Sequence, residues 1–396
     1  MTPQKSNWSY PTKVWFGAGR IAELSQACRD TGIARPLLVT DPGLSSLPMV
    51  SSAVTQLREA GLGVNVFDKI QGNPTSTNVN DGIAAYRSGN HDGVIAFGGG
   101  SALDVGKTVA FMVGQTRPVW DFEDVGDNWR RASIGGIAPV IAVPTTSGTG
   151  SEVGRATVIT NAETHVKKII FHPEMMPRIA IADPELTIGL PPSLTAGTGM
   201  DALSHAIEAY CAPSYHPMAD AIAIESVRLI RDWLVPAFRD GTNIDARGQM
   251  MAAAAMAATA FQKGLGAIHS VSHPIGAIYG THHGLTNAVV MPYVLAFNAP
   301  AIGEKMQLLA SYLGLKGSST PNAAVSAIRD WSLALRADLG IPPTIADLGV
   351  EPKRFDEIAA LAVDDPTAGT NPVPLTKENV RALLEDMHHG VIREIA

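Results

Sequence analysis

Four of the chain's 11 histidines lie between positions 269 and 283, in the sequence HSVSHPIGAIYGTHH. The surrounding residues are small and apolar, so neutral imidazoles buried there need polar partners. His269 and His273 are four residues apart, and so are Asp201 and His205 in MDALSHAIEAY. Residues four apart share one face of a helix, so each pair is expected to point in one direction.

An aspartate and several histidines without cysteine make a nitrogen and oxygen ligand set, which suits Fe(II) or Zn(II). A lone buried histidine is more often a hydrogen-bonded core residue than a ligand. Two pairs at helical spacing, followed by His282 and His283, weaken that explanation. The pattern predicts a divalent metal site with one histidine left for proton chemistry. We expect Pro274 to end the helix that carries His273.

The sequence VIAFGGGSALDVGK predicts an apolar strand, a turn of Gly98, Gly99, Gly100 and Ser101, and then a helix. Glycines let backbone amides approach a ligand, and a helix start adds N–H groups and a positive dipole end. This arrangement suits a pyrophosphate, although glycine-rich turns also serve as plain strand–helix connections. A second segment, VPTTSGTGSEV, repeats the pattern with hydroxyls at Thr145, Thr146, Ser147 and Thr149.

Asp41 ends a third apolar run, LLVTD. Open α/β sheets bind ligands at the carboxyl ends of their strands, where a carboxylate accepts hydrogen bonds from a ribose diol and repels a 2′-phosphate. On spacing alone, Asp41 is equally a turn residue before Pro42.

Apolar strand-like runs alternate with amphipathic segments in the first half of the chain, and the later segments have helical spacing. The alternation predicts a parallel sheet covered on both faces. We expect an α/β domain over residues 1–187 and an all-helical domain over 188–396, rather than one continuous α/β domain.

Composition excludes several classes of protein. With 45% hydrophobic and 17% charged residues the chain is globular, and a net charge of −7 without a basic block disfavours nucleic acid and anionic membranes as partners. Cys28 and Cys211 match no metal or redox spacing, so we expect a reducing cytoplasm. The N-terminal sequence has no apolar signal core, and the longest Ala-rich run is shorter than the ~20 residues of a membrane helix.

The motifs GGGSALDVGK, PTTSGTGSEV, DPELTIGLP, GMDALSHAIEAY and HSVSHPIGAIYGTHHGLTNAVV, in this order, resemble the iron-containing (group III) alcohol dehydrogenases. The resemblance extends from about KVWFGAG to TNPVPLTKENVRALLEDM. It implies a Rossmann-like NAD-binding domain and a helical metal-binding domain, in a dehydroquinate synthase-like architecture with catalysis in the cleft between them. It also implies a dimer or a larger assembly that interconverts a small alcohol and its aldehyde or ketone by hydride transfer.

The resemblance assigns roles to individual residues. The metal, Fe(II) or else Zn(II), would be bound by Asp201, His205, His269 and His283. His273 would lie beside the nicotinamide and the substrate and relay a proton. The cofactor would contact Asp41, Gly98, Gly99, Gly100, Ser101, Thr145, Thr146, Ser147, Thr149, Lys168 and Leu186, with Asp41 favouring NAD over NADP.

Two positions depart from the family pattern. His282 stands where proline is common, so it either alters packing or competes with His283 as a ligand. Gly154 replaces a common threonine and opens space near the cofactor. The following Arg155 recurs in 4-hydroxybutyrate dehydrogenase-like members, so it either binds the anionic end of an ω-hydroxy acid or forms a structural ion pair.

Two other functions fit the residues less well. A sugar-phosphate cyclase of the dehydroquinate synthase type needs a basic cluster and a Glu/His/His metal set, whereas this chain has Asp201 with three histidines. A nucleotide or metal sensor that kept the fold has no use for a complete ligand set and an additional histidine at position 273.

We expect Asp41→Gly to move the ratio of catalytic efficiencies from NAD toward NADP. The substitution removes repulsion toward a 2′-phosphate and loosens the hold on the ribose diol. Steady-state kinetics with both cofactors measures the ratio, and an unchanged ratio would show that Asp41 is only a turn residue.

Overall fold

The computed structural model describes residues 12–164 and 166–395. The described residues fall into two compact units, 12–189 and 190–395. Most of the N-terminal segment that we expect to lack a signal core lies outside the described residues.

The first unit is built on a six-stranded sheet in which every neighbouring pair is parallel. Its strands are β1 (Lys13–Phe16), β2 (Pro36–Val39), β3 (Asn65–Phe67), β4 (Gly93–Gly98), β5 (Val140–Pro144) and β8 (Ile179–Ala182), in the order β1-β8-β5-β4-β2-β3. The four central strands are buried along their whole length, as expected for a parallel sheet covered on both faces.

Five helices cover this sheet. They are α1 (Leu24–Thr31), α2 (Pro42–Ser45), α3 (Pro48–Glu59), α4 (Ser76–Ser88) and α5 (Gly100–Met112). Successive residues of β4 face opposite sides, because side chains alternate along a strand. Ile95 and Phe97 pack in a core with α1 and α3, whereas Val94 and Ala96 pack in a core with α4 and α5.

Two strands, with the sequences ATVIT and KKIIF, lie outside the main sheet. β6 (Ala156–Thr160) and β7 (Lys167–Phe171) form a separate antiparallel pair, and only β8 returns to the parallel sheet. The edge strand β1 carries no alternating apolar pattern and is largely exposed, so the sequence gives no strand signal there.

The second unit contains helices joined by loops and no strand among its described residues, which confirms the expected change from α/β to helical structure. Its helices are α6 (Pro192–Cys211), α7 (Pro217–Arg239), α8 (Ile244–Ala260), α9 (Ala267–Tyr279), α10 (His283–Tyr312), α11 (Pro321–Asp338), α12 (Phe355–Val363) and α13 (Lys377–His389). By length and composition α10 could cross a membrane, but 72% of its most apolar window is buried inside the fold. A buried core helix passes the same test, so this is weak support for a membrane span.

The expectation that Pro274 ends its helix is wrong, because α9 continues through it to Tyr279. Proline removes one backbone hydrogen bond and crowds the preceding turn. Residues 267–276 are all buried, and the next helices α10 and α12 pack against α9. Tertiary packing therefore outweighs the local cost of the proline.

We expect neither cysteine to react with a water-soluble thiol reagent in the native protein. Burial raises the pKa of both Cys28 and Cys211 to about 12, and only the thiolate is a good nucleophile. Both thiols should react after denaturation. Rapid labelling of either cysteine in the folded chain would contradict the burial described here.

Candidate functional site

The glycine turn lies where the strand order of the sheet reverses. In the sheet, β3 lies on one side of β2, and β5 lies on the opposite side of β4. The chain therefore proceeds in opposite directions from the two neighbouring strands β2 and β4. In open α/β sheets, ligands bind beside the carboxyl ends of strands at such a point. Asp41 follows β2 and Gly98 ends β4; a Cβ on Gly98 would lie 3.7 Å from Oδ2 of Asp41. The structure therefore brings these two candidate cofactor residues together.

The two hydroxyl- and glycine-rich loops interlock. The backbone N–H of Thr145 donates to the carbonyl of Gly98 at 3.0 Å. A Cβ on Gly100 would lie 2.6 Å from Cγ2 of Thr149, and one on Gly99 would lie 3.3 Å from Cγ2 of Thr146. Any larger residue at Gly100 would push the loops apart. Gly98 has φ +148°, which also favours glycine.

The start of α5 lies directly after this turn. Its N-cap is Gly99, which offers no side chain to bind the first backbone N–H groups, and Ser101 is the second residue of the helix. A helix of this length with an uncapped start presents N–H donors and the positive end of its dipole. This is the arrangement that accepts a phosphate group.

Asp41, Lys168 and Leu186 contact other protein groups, whereas the buried hydroxyl of Ser147 has no hydrogen-bond partner among the described residues. Asp41 accepts a hydrogen bond from the Leu44 N–H at 3.0 Å and so caps α2. Lys168 donates to Glu123 at 2.5 Å, and Leu186 is buried in the core with α1 and α3. Ser147 is also buried.

In the second unit, four candidate ligands meet around one carboxylate oxygen. From Oδ1 of Asp201, the Nε2 atoms of three histidines lie at 3.4 to 3.8 Å, with His283 nearest, then His269, then His205. Donors about 2.1 Å from a tetrahedral ion are separated by about 3.4 Å. The donor types suit a first-row divalent metal. The donor atoms of Asp201, His205 and His269 all lie within 4.8 Å of one another, which suits a shared ion.

Three helices supply these donors. Asp201 and His205 share a face of α6, His269 lies on α9, and His283 is the first residue of α10. The start of α10 comes close to α6 because both helices have glycine at the contact. A Cβ on Gly284 would lie 2.0 Å from the carbonyl oxygen of Gly197, so no other residue fits there.

His282 and His283 point to different partners. Nδ1 of His282 accepts a hydrogen bond from the Leu285 N–H at 3.4 Å, which makes His282 the N-cap of α10. A Cβ on Gly197 would lie 2.8 Å from Cε1 of the His282 ring. His283, by contrast, points its Nε2 toward Asp201. The histidine in the usual proline position therefore serves packing and helix capping in this structure.

Two buried side chains that the sequence analysis missed support this cluster. Glu208 accepts from the Ile268 N–H at 2.6 Å through Oε1 and contacts Nδ1 of His269 at 2.5 Å through Oε2. Asn287 donates to Asp201 at 2.8 Å and lies within 3.3 Å of Nε2 of His269. Glu208 continues the helical face of Asp201 and His205, so its spacing offered a signal.

His273 lies beside the cluster with a separate partner. Its Nδ1 is 2.8 Å from Oδ2 of Asp365, and its ring stacks on that of His283 with centroids 5.4 Å apart. Asp365 was also missed, and it lies 92 residues from His273 in the chain. An imidazole held by a carboxylate at one nitrogen is suited to proton transfer at the other.

Electrostatics in the cluster favours ionised forms. Burial alone would raise the pKa of Asp201, but the neighbouring His205, His283 and His269 hold it well below its usual range. Burial alone would lower the pKa of His269, but the carboxylates of Glu208 and Asp201 raise it to about 9. Burial also opposes ionisation of Asp365, yet His273 and Thr367 lower its pKa.

Comparison with known proteins shows the family to which the chain belongs. Residues 11–184 match the family model of the iron-containing alcohol dehydrogenases, and residues 195–388 match the C-terminal model of the same family. The chain is 39% identical to a 4-hydroxybutyrate dehydrogenase of Cupriavidus necator, covering 95% of this chain and 98% of that protein. It is 36% identical to an NAD-dependent methanol dehydrogenase of Bacillus methanolicus, covering 96% and 99% respectively.

A solved structure shows the same fold. The crystal structure of a 1,3-propanediol oxidoreductase superposes with a TM-score of 0.92 at 35% sequence identity. The match covers 97% of this chain and 100% of that one.

We expect His283→Ala to lose most bound metal and His282→Ala to retain it, because only His283 points its Nε2 into the cluster. Metal content after dialysis and the metal-induced rise in Tm measure the difference. For the wild-type chain, free metal at a hundred times Kd should add about 2.7 kcal/mol to the free energy of unfolding. Full metal retention by the His283 variant with loss in the His282 variant would reverse the assignment.

Proposed function

Because the chain belongs to the iron-containing alcohol dehydrogenase family, we propose that it is an NAD-linked, metal-dependent alcohol dehydrogenase. The observation that carries the proposal is the set of donors around Oδ1 of Asp201, whose 3.4 to 3.8 Å separations suit one divalent ion. The proposed ligands are Asp201, His205, His269 and His283. We propose Fe(II) as the native metal, with Zn(II) as the alternative.

When bound, the metal supplies a Lewis acid for the substrate oxygen and NAD supplies the hydride acceptor. The unit of residues 190–395 would hold the metal, and the unit of residues 12–189 would hold NAD. Gly98 to Ser101 would bind the pyrophosphate through backbone N–H groups, beside Thr145, Thr146, Ser147 and Thr149. Asp41 would accept hydrogen bonds from the ribose diol, and Lys168 and Leu186 would complete the cofactor contacts.

His273 would carry the proton that the alcohol loses. Its Nδ1 is engaged by Asp365, which leaves Nε2 for a proton donor. Aliphatic residues line much of the surrounding helical core, including Ile268, Val271 and Ile275 on α9. Such a setting keeps water away from a hydride and strengthens electrostatic interactions in the site.

We propose a neutral alcohol or diol as the substrate, with an ω-hydroxy acid as the second candidate. Two observations favour the second: the likeness to a 4-hydroxybutyrate dehydrogenase and the presence of Arg155 after the hydroxyl-rich loop. The half-buried guanidinium of Arg155 lies 5.6 Å from the Phe171 ring centroid, a cation–π contact that supports a structural role instead. A Cβ on Gly154 would lie 3.6 Å from the carbonyl oxygen of Ser151 and 3.8 Å from Nζ of Lys107, so the side chain missing there faces other protein atoms.

We also propose that the enzyme works as a dimer in the cytoplasm. The edge strand β1 exposes Val14 and Phe16, and exposed apolar edge strands are sites of association. Both cysteines are free thiols and buried, which suits a reducing compartment.

The test is an NAD-linked activity screen across simple alcohols, diols and ω-hydroxy acids, with protein loaded separately with Fe(II) and Zn(II). We expect steady formation of reduced cofactor from at least one class, and none from His269→Ala, which lacks a ligand. Metal-loaded protein that turns over no alcohol in either direction would contradict the proposal.

Arg155→Met separates the two substrate classes. If Arg155 binds a carboxylate, efficiency on the acid should fall by about tenfold to a hundredfold, because a hydrogen bond to a charged group contributes about 1.5–3 kcal/mol. Neutral alcohols should then be nearly unaffected. Equal losses on both classes would make Arg155 structural and favour the neutral substrate.

A further inference from the structure

The segment between α12 and α13 holds the start of α9 through several side chains. The Thr370 hydroxyl donates to the carbonyl of Leu265 at 2.7 Å, and the Ala267 N–H donates to Oδ1 of Asn371 at 3.0 Å. Asp365, in the same segment, reaches His273 one and a half turns further along α9. One short segment thus fixes both the first turn of α9 and the ring of His273.

Both oxygens of the Asp365 carboxylate are engaged. Oδ2 lies 2.8 Å from Nδ1 of His273, and Oδ1 accepts from the Thr367 N–H at 2.9 Å and from its hydroxyl at 2.6 Å. The side chain is 8% exposed. Because the Thr367 backbone N–H holds the other oxygen, the carboxylate cannot turn away from His273 without losing a buried hydrogen bond.

We propose that Asp365 is a positioning residue that fixes the tautomer of His273. An ionised carboxylate only accepts hydrogen bonds, so Nδ1 of His273 must carry the proton. Nε2 is then left with a lone pair. The inference deepens the proposed function, since a neutral imidazole can take a proton from an alcohol only at a nitrogen that does not already carry one.

Ring stacking does not determine which nitrogen of His273 carries the proton. The His273 ring lies nearly parallel to that of His283, at 19°, and edge-on to that of His269, at 68°. These contacts set the plane of the ring but not which nitrogen is protonated. Within the described residues, the side chain of His273 hydrogen-bonds to the carboxylate of Asp365, and that bond decides the tautomer.

Asp365→Asn provides the sharpest test. The Thr367 backbone N–H can only donate, so the amide that replaces the carboxylate should turn its oxygen toward Thr367 and its NH₂ group toward His273. Nδ1 of His273 must then accept, which moves the ring proton to Nε2. Asp364→Asn is the matched control, because it makes the same chemical change at the neighbouring exposed residue.

NMR spectra of isotopically labelled histidine report which ring nitrogen is protonated. The full chain is loaded with Zn(II), which is diamagnetic, and His273→Gln identifies the resonances of His273. We expect Nδ1–H in the wild type and in Asp364→Asn, and Nε2–H in Asp365→Asn. Metal content and NAD affinity should stay unchanged, while turnover should fall by roughly a hundredfold to ten-thousandfold.

An Nδ1 proton that persists in Asp365→Asn, or an Nε2 proton in the wild type, overturns the inference. The wild-type spectrum decides the matter alone if the variant fails to fold. A tautomer that shifts as expected with unchanged turnover leaves the positioning role standing. That result would instead remove proton transfer at His273 from the proposed function.

Discussion

The burial of the Asp201 carboxylate is the constraint on which the helical unit depends. A carboxylate that is 2% exposed is costly unless positive charge or hydrogen bonds surround it. Three imidazoles and the Asn287 amide meet that need, and they come from α6, α9 and α10. Their convergence requires α10 to begin almost in contact with α6. The paired glycines at 197 and 284 make this approach possible.

The α/β unit is organised around a different constraint, the reversal of strand order between β2 and β4. The reversal leaves the carboxyl ends of these strands beside loops that lead away in opposite directions. Because positions 98, 99 and 100 are glycines, the loop after β4 has no side chains there. It can therefore pack directly against the loop after β5. The start of α5 therefore presents backbone N–H groups rather than side chains.

Sequence predicted what is local and regular. A spacing of four residues predicted that Asp201 and His205 share a helical face, and likewise His269 and His273. Apolar runs predicted the central strands. The local rule that proline ends a helix fails at Pro274, because neighbouring helices hold α9 in place. Glu208 lies on the same helical face as Asp201 and was within reach of the same spacing argument.

Other features could not be read from the sequence. Asp365 reaches His273 across 92 residues of chain, and no periodicity connects the two. The choice between His282 and His283 is equally non-local, because both side chains leave the first turn of α10 and only packing against α6 separates them. When the packing of distant helices brings two residues together, the sequence of neither helix alone indicates the contact.

If His269 binds a metal as proposed, its raised pKa couples metal uptake to the release of a proton. The carboxylates of Glu208 and Asp201 raise the pKa of the buried ring to about 9, so at neutral pH a protonated imidazole balances these carboxylates. An ion bound by this ring must displace that proton, so the apparent affinity for the metal should weaken as the pH falls. Calorimetric titrations in buffers of different ionisation enthalpy would then give different heats for the same ion. Equal heats would mean that no proton leaves.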